Sequence, residues 1–320
     1  MGVISGYGDI RLFAGSASQG LAKEISEYLS VPLSGYDLVE FPNENLFVRL
    51  HGSVRGQDVY LIQSMSPPVH RNMMEMLIMI DCLKRDSAGR ITAVFPYMAY
   101  ARSDKKDQPR VPISARLVTD MIEVAGADRY MTVDLHAGQI QGFFSIPGDV
   151  LTAFHMLSDY FLSKELEDAV IATADLGFAK KGRNFAARLG VPLAFVEKRR
   201  RQDGGRAKAT SVIGSVEGKN VILVDDEVLT AGSICEAAKI LGENGAKDVY
   251  VSFTHALMVP PAAERLSKVT SVKEIVTTNT VDINPEKILD NMTVLSVAPL
   301  LGEVILRAHE GRSVGELFNE

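Results

Sequence analysis

Three hundred and twenty residues suit two domains at roughly 150 residues each, and a hydrophobic content of 46% gives each enough material for a buried core. Thirty-four Lys plus Arg against 40 Asp plus Glu leave a net charge of −6, which excludes whole-molecule attraction to nucleic acid or to an anionic membrane; any anion site has to be a local basic cluster. Two cysteines, Cys82 and Cys235, exclude a disulfide framework and a four-thiolate zinc site. They read as buried apolar fillers in a reducing, cytoplasmic setting.

The opening MGVISGYGDIRLFAGS has no basic stretch followed by an apolar one, and Gly6 stands where myristoylation would require Ser or Thr. No export or anchoring is expected, and no uncharged apolar run reaches about 18 residues. In MMEMLIMIDCLKR, Met73, Leu77, Ile80 and Lys84 fall at helical spacing. The spacing predicts an amphipathic helix whose methionines belong to the core and whose Glu75 and Asp81 face solvent. Further on, YLIQS, ITAVF, YMTVDL, VIATA, LAFVE, NVILV and VYVSF are short β-branched runs separated by segments of helical periodicity. That is the pattern of parallel sheets covered by helices, in which ligands sit at the carboxyl ends of the strands.

A shift of 119 positions carries Ser114 onto Ser233, Gly126 onto Gly245, Ala127 onto Ala246 and His136 onto His255. One unit of helix, Gly-Ala turn, strand and His is thus read twice, each helix expected to end at a left-handed Gly. This register predicts a duplicated α/β domain with its boundary in the SIPGDVLT turn, near residues 145 to 152. His136 follows Asp134; His255 has no acid two residues before it and is expected to be a structural hydrogen-bonder.

The segment VILVDDEVLTAGS, residues 221 to 233, ends an apolar strand in Asp225 and Asp226 and opens a helix with Thr230, Ala231, Gly232 and Ser233. Small residues at a helix start let backbone N–H groups converge on a phosphate, and the helix dipole adds to the same pocket. The two carboxylates are placed to accept from adjacent sugar hydroxyls, so the segment reads as a ribose-phosphate cradle. A helix capped by Ser233 would account for the turn but not for the paired acids. Four consecutive basic residues, Lys198, Arg199, Arg200 and Arg201, lead into a polar, Gly-containing stretch. With no aromatics interleaved, they are not expected to contact nucleic acid.

An apolar strand, two acids and a small Thr/Gly/Ser turn resembles the phosphoribosyl-pyrophosphate motif of type I phosphoribosyltransferase folds. YMAYARSDKKDQPRVPISARL (97 to 117), YMTVDLHAGQIQGFF (130 to 144) and VEKRRR (196 to 201) extend the likeness. Together they resemble the ribose-phosphate pyrophosphokinases, or phosphoribosyl pyrophosphate synthetases, over essentially the whole chain. The resemblance implies an α/β fold of two duplicated type I phosphoribosyltransferase-like domains, each a mainly parallel sheet flanked by helices. Residues 1–150 would carry the nucleotide loops, and 151–320 the ribose 5-phosphate site and catalytic loop. The implied activity transfers the diphosphoryl group of Mg-ATP to the anomeric hydroxyl of ribose 5-phosphate, giving 5-phosphoribosyl 1-pyrophosphate and AMP for nucleotide, His and Trp synthesis.

By the same resemblance Lys198 and Arg200 match the catalytic loop's cations, His136 and Asp175 the Mg²⁺ ligands, and Asp225, Asp226, Leu229, Thr230, Ala231, Gly232 and Ser233 the ribose 5-phosphate site. Phe41, Asn43, Glu44, Asn45, Arg102 and Ser103 match the ATP site, shared between copies in dimers that build a hexamer. Arg55, Ser87 and Ser313 resemble positions that bind regulatory phosphate. Asn43, Glu44 and Asn45 replace the family's usual Asp, Gly and Glu, Ser103 its Gln, Leu229 a frequent Asp, and Leu176 a small or polar residue. An Asn amide can donate or accept where Glu only accepts, so base discrimination is expected to weaken. Two alternatives are a non-catalytic regulatory paralogue that co-assembles with an active synthetase, and a transferase acting on a nucleobase. Against the first stands the presence of Lys198, Arg200, His136, Asp175 and Asp225 together. Against the second stand the duplication and the RSDKKD loop.

Overall fold

Asp58–Ile62 is buried at every position, as a strand flanked on both sides in a helix-covered parallel sheet must be. The computed structural model describes residues 6–174, 177–199 and 208–315. They divide into two units, each with its own hydrophobic core.

In the first unit the chain runs through β1 (Ile10–Ala14), α1 (Gln19–Leu29), a hairpin of β2 (Tyr36–Glu40) and β3 (Leu46–Leu50), then β4 (Asp58–Ile62) and α2 (Val69–Arg85). There follow β5 (Arg90–Val94), α3 (Ser114–Ala125), β6 (Arg129–Val133) and β7 (Gly148–Leu151). The five-stranded sheet has the order β1-β4-β5-β6-β7, every neighbour parallel, and the hairpin forms a two-stranded sheet of its own. The second unit comprises α4 (Phe154–Ser163), β8 (Ala169–Thr173), α5 (Ala179–Leu189), β9 (Leu193–Arg199), β10 (Lys208–Ile213), β11 (Asn220–Val228), α6 (Gly232–Glu243), β12 (Asp248–Ala256), α7 (Ala262–Ser267), β13 (Val272–Thr278) and β14 (Met292–Leu295). Its seven-stranded sheet has the order β10-β9-β8-β11-β12-β13-β14, parallel except for the β10–β9 pair. Among the described residues no helix is long and apolar enough to cross a membrane.

All seven apolar runs are strands, and both sheets are mainly parallel, as expected. The 119-residue register is not kept. It equates β6 with β12, whereas connectivity and sheet order together equate β1, β4, β5, β6 and β7 with β8, β11, β12, β13 and β14. A helix, a Gly turn and a strand recur in each βαβ step, so the sequence match fell one step out of phase. The glycines themselves behave alike: Gly126 caps α3 at φ 118°, and Gly245, just past the Asn244 cap of α6, stands at φ 84°.

The chain first leaves the first unit between Thr152 and Ala153, then returns for residues 280–282 and from 296 onward. The second domain, expected to run through 320, therefore gives up the terminal helix α8 (Ala298–Glu310) to the first unit. There α8 buries Leu301, Val304 and Ile305 and joins a polar tie at the amino-terminal ends of the strands of the first sheet. Arg90 Nε and Nη2 donate to the two oxygens of the fully buried Asp58 at 2.8 and 2.6 Å. His309 Nδ1 of α8 lies 2.8 Å from the same carboxylate, and Arg90 Nη2 also donates to the Ala308 carbonyl at 3.1 Å.

In α2, Met76 and Met79 are fully buried and Asp81 pairs with Arg85 near the surface. Glu75 overturns its expected outward orientation, having no exposed surface. Four donors turn it inward: the Ser16 N–H at 2.8 Å, the Ser16 hydroxyl at 2.9 Å, Arg71 Nη1 at 3.1 Å and the Tyr36 hydroxyl at 3.4 Å. Of the two free thiols, Cys235 is buried and Cys82 only partly so; burial pushes both above their ordinary pKa.

Asp58→Ala should destabilise the protein by about 3–5 kcal/mol, because the nearly buried Arg90 would lose its partner. A shift of the urea midpoint, followed with a probe in α8, measures it; stability within 1 kcal/mol of wild type, roughly the value of an exposed pair, would show the tie to be unimportant.

Candidate active site

In the second unit the paired acids stand where the central strand outruns its neighbour. Pairing of β11 with β8 ends at Val224↔Thr173, while pairing with β12 continues through Val228↔Ala256. The strand was expected to end at the acids; β12 instead carries it on to Val228. Asp225 is half-buried and Asp226 buried. The Asp226 N–H donates to Asp225 Oδ1 at 2.9 Å, and the Glu227 N–H to Asp226 Oδ1 at 2.8 Å.

Leu229, Thr230, Gly232 and Ser233 are exposed, with Ala231 buried among them. Ala231, not Ser233, occupies the cap position of α6, in left-handed backbone with φ 59°, and no side chain caps the helix. The expected alternative of a Ser-capped helix is therefore not what forms. A helix start without a capping side chain leaves its first amides to a ligand or water. Arg265 of α7 donates from Nη1 to the Thr230 carbonyl at 2.9 Å, and a Cβ on Gly232 would stand 3.3 Å from the same nitrogen. The turn is thus bordered by a cation that no motif in the sequence signalled.

Lys198 lies on β9, paired with Ala209 of β10, so the basic run starts on a hairpin stem rather than in a loop as expected. The antiparallel partner holds it extended. Arg200, like Asp175 and Leu176, falls outside the described residues.

In the first unit Phe41, Asn43, Glu44 and Asn45 form the exposed β2–β3 turn. The Phe41 N–H donates to the Asn45 carbonyl at 2.9 Å, and the Glu44 N–H to the Phe41 carbonyl at 2.8 Å. Asn43 Oδ1 accepts from the Asn45 N–H at 3.3 Å, while Glu44 takes a left-handed φ of 66°. Asn43 therefore spends its carbonyl on the turn. Phe41, 47% exposed, tilts toward Phe47 with centroids 6.5 Å apart. Glu44, His70, Met74, Tyr97 and Tyr100 help to line an open pocket of about 810 Å³ between this turn, the start of α2 and the segment after β5. Met74, 45% exposed, is the methionine that departs from the expected core role.

Arg102 is exposed. Ser103 serves its own backbone: its hydroxyl accepts from the Ser114 N–H at 3.2 Å and its carbonyl from the Ala115 N–H at 3.1 Å, at the start of α3. The neighbouring Asp104, buried, accepts from Gln139 Nε2, which brings this loop to the segment that follows His136. His136 is exposed beyond β6. Asp134, nearly buried and at φ 44°, accepts from the Thr152 hydroxyl at 2.9 Å. His255 is buried within β12. Arg55 bridges to Ala88 beside Ser87, whose carbonyl accepts from the Gly56 N–H at 2.9 Å; Ser313 lies past α8, its carbonyl held by Arg307 at 3.0 Å.

Two mainly parallel-sheet units, one with paired acids in the last part of its central strand ahead of a small-residue helix start, define an α/β protein of the phosphoribosyltransferase type. The N-terminal domain of ribose phosphate pyrophosphokinase matches residues 10–126, and the phosphoribosyl synthetase-associated domain matches residues 201–319. Similar curated proteins include the ribose-phosphate pyrophosphokinase of Caldanaerobacter subterraneus subsp. tengcongensis, 46% identical over 310 residues, 97% of this chain and 98% of that one. That of Bacillus subtilis is 44% identical over 315 residues, 98% of this chain and 99% of its own. The crystal structure of phosphoribosylpyrophosphate synthetase from Mycobacterium smegmatis aligns with a TM-score of 0.90 at 43% identity, covering 95% of this chain and 99% of that chain. The chain belongs to the ribose-phosphate pyrophosphokinase family.

Proposed function

We propose that the chain transfers the diphosphoryl group of Mg-ATP to the anomeric hydroxyl of ribose 5-phosphate, giving 5-phosphoribosyl 1-pyrophosphate and AMP. The observation that carries this reading is likeness to ribose-phosphate pyrophosphokinases at 44–46% identity over almost the full length of both chains. The anomeric oxygen attacks the β-phosphorus, and the bond from that phosphorus to the oxygen bridging it to the α-phosphate breaks, leaving AMP. Such a transfer needs charge compensation and positioning more than covalent help.

In this reading Asp225 and Asp226 accept from the ribose hydroxyls. The amides of Thr230 to Ser233, with no capping side chain on the helix, receive the 5-phosphate, and Arg265 steadies the turn. Lys198 and Arg200 bring positive charge to the diphosphoryl group. Phe41 stacks on the base, and Arg102 takes the nucleotide phosphates. A shared site, in dimers assembling to a hexamer, is supported by the exposure of Phe41 on a hairpin separate from the main sheet.

Among the described residues no three His, Cys, Asp or Glu side chains gather into a cage. Mg²⁺ keeps several waters and takes few protein ligands alongside substrate phosphates. His136 and Asp175 are the residues that would hold it, and the ion would supply charge neutralisation on the phosphates.

A panel of nucleoside triphosphates with ribose 5-phosphate, scored by monophosphate release, tests the reading directly; absence of AMP release from ATP would overturn it. Because Asn45 can satisfy a base amine or a base carbonyl, the panel should show GTP used alongside ATP, and Asn45→Glu should narrow the preference toward ATP. Exclusive use of ATP with no effect of Asn45→Glu would shift selectivity to the backbone or to Asn43.

Lys198→Ala or Arg200→Ala should lower kcat on the order of 10³-fold with little change in KM, by analogy with cations that act in phosphoryl-transfer transition states. A raised KM at unchanged kcat would reduce them to substrate capture. Asp225→Asn with Asp226→Asn should abolish ribose 5-phosphate binding in calorimetry while ATP binding persists. Normal ribose 5-phosphate affinity would dismiss the assignment.

A further inference from the structure

The first turn of α2 makes two contacts with segments that flank the nucleotide residues. Arg71 Nε donates to Glu40 Oε2 at 2.8 Å, while its Nη1 donates to the buried Glu75 at 3.1 Å. Glu40 ends β2, directly before Phe41. One residue earlier on the helix, His70 Nε2 lies 2.8 Å from the Tyr100 hydroxyl, the two rings within 12° of parallel and 6.4 Å apart. Tyr100 holds a left-handed φ of 62°, two residues before Arg102. A bulky aromatic residue keeps such a backbone only where its surroundings over-determine it, and such outliers concentrate at functional sites.

We propose that His70 and Arg71 are positioning residues for the donor nucleotide: a single helix turn sets where the Phe41–Asn45 turn and the Tyr100–Arg102 segment stand. This role rests on the reading that both segments handle ATP. Arg71 acts through Glu40, and its other end is pinned by Glu75, so one guanidinium ties a mobile class of element, a hairpin turn, to the core of the unit. His70 acts through Tyr100, spending its hydrogen bond on the strained residue rather than on substrate. The two links converge on the same pocket of about 810 Å³, whose lining includes Glu40, Glu44, His70, Arg71 and Tyr100. Loss of either link should loosen donor binding and leave ribose 5-phosphate untouched, because that substrate is assigned to the other unit.

The test is steady-state kinetics on the full chain, with ATP and ribose 5-phosphate varied separately and the thermal midpoint recorded for each variant. Glu40→Gln should raise the KM for ATP about three- to fivefold, the range of a partly exposed ion pair. His70→Leu and Tyr100→Phe should each raise it by a similar factor, and the double variant should do no more than either alone, since both remove one hydrogen bond. His70→Gln, able to keep a hydrogen bond to Tyr100, should restore most of the affinity. The KM for ribose 5-phosphate and the midpoint should stay at wild-type values throughout. Phe41→Ala is the control for the nucleotide turn itself. If it raises the KM for ATP while Glu40→Gln and His70→Leu do not, the positioning role is overturned and the nucleotide reading stands. If Phe41→Ala has no effect, both are overturned. A fall in midpoint with equal rises in both KM values would make the two residues merely structural.

Discussion

A carboxylate with no exposed surface, Glu75, organises the hairpin side of the first unit. A carboxylate buried this deeply in α2 needs close partners, because desolvating an unpaired one costs several kcal/mol, on the order of the whole stability margin of a domain. Its partners come from three places: the turn after β1 through Ser16, the hairpin strand β2 through Tyr36, and its own helix through Arg71. Burial and the adjacent Glu75 charge hold the Tyr36 phenol well above its ordinary range, so it remains a donor. The single Tyr36 proton is shared with the Ala14 carbonyl, 2.8 Å away, joining hairpin to sheet. The hairpin has no strand neighbour in the main sheet, so these polar contacts, with the packing of Tyr36 and Leu38 on the core, decide where its turn stands.

The periodicity that made the fold legible is blind to such a residue. Seven strands were readable because burial on both faces of a parallel sheet demands continuous apolar runs, and β4 and β8 meet that demand at every position. The hairpin strands were not, since their faces are half exposed and their apolar residues alternate only weakly. Glu75 was read as solvent-facing because charge is the best local predictor of exposure, and the three partners that override it lie 4, 39 and 59 residues away. The terminal helix carries the same lesson. In the first unit it meets Asp58 and Arg90, more than 200 residues earlier in the chain.

At the site, what could be read was chemistry carried by contiguous residues. Asp225, Asp226 and the Thr230–Ser233 turn formed one string, so their juxtaposition needed no tertiary information beyond a strand followed by a helix. Arg265 arrives at that turn from α7, about 35 positions on, and nothing in its own neighbourhood marks it. Ser103 shows the converse. Its place in a recognised string suggested a ligand contact, yet its hydroxyl and carbonyl both serve the first amides of α3. The repeat register failed for a related reason: a helix, a glycine and a strand describe any βαβ step, so only the order of strands across both sheets could distinguish which step matched which.

Backbone strain connects the two units more tellingly than any shared motif. Glu44, Tyr100, Asp134 and Ala231 all adopt left-handed φ between 44° and 66°, and each lies within two residues of a position assigned to substrate or metal. A side chain in this region costs about 1–2 kcal/mol relative to right-handed backbone, and glycine would avoid most of that cost. In each case the chain keeps a side chain where it needs one: a carboxylate at Glu44 facing the pocket, a ring at Tyr100 under His70, an acid at Asp134 against Thr152, and at Ala231 a methyl buried in the core beneath an otherwise exposed turn. Each turn is held by its own neighbours: Glu44 by the Phe41 carbonyl, Tyr100 by His70, Asp134 by Thr152 and Ala231 by burial of its methyl. Rigid turns are what phosphoryl transfer asks of its protein, since donors and charges fixed beforehand need not reorganise when charge develops on the transferring group.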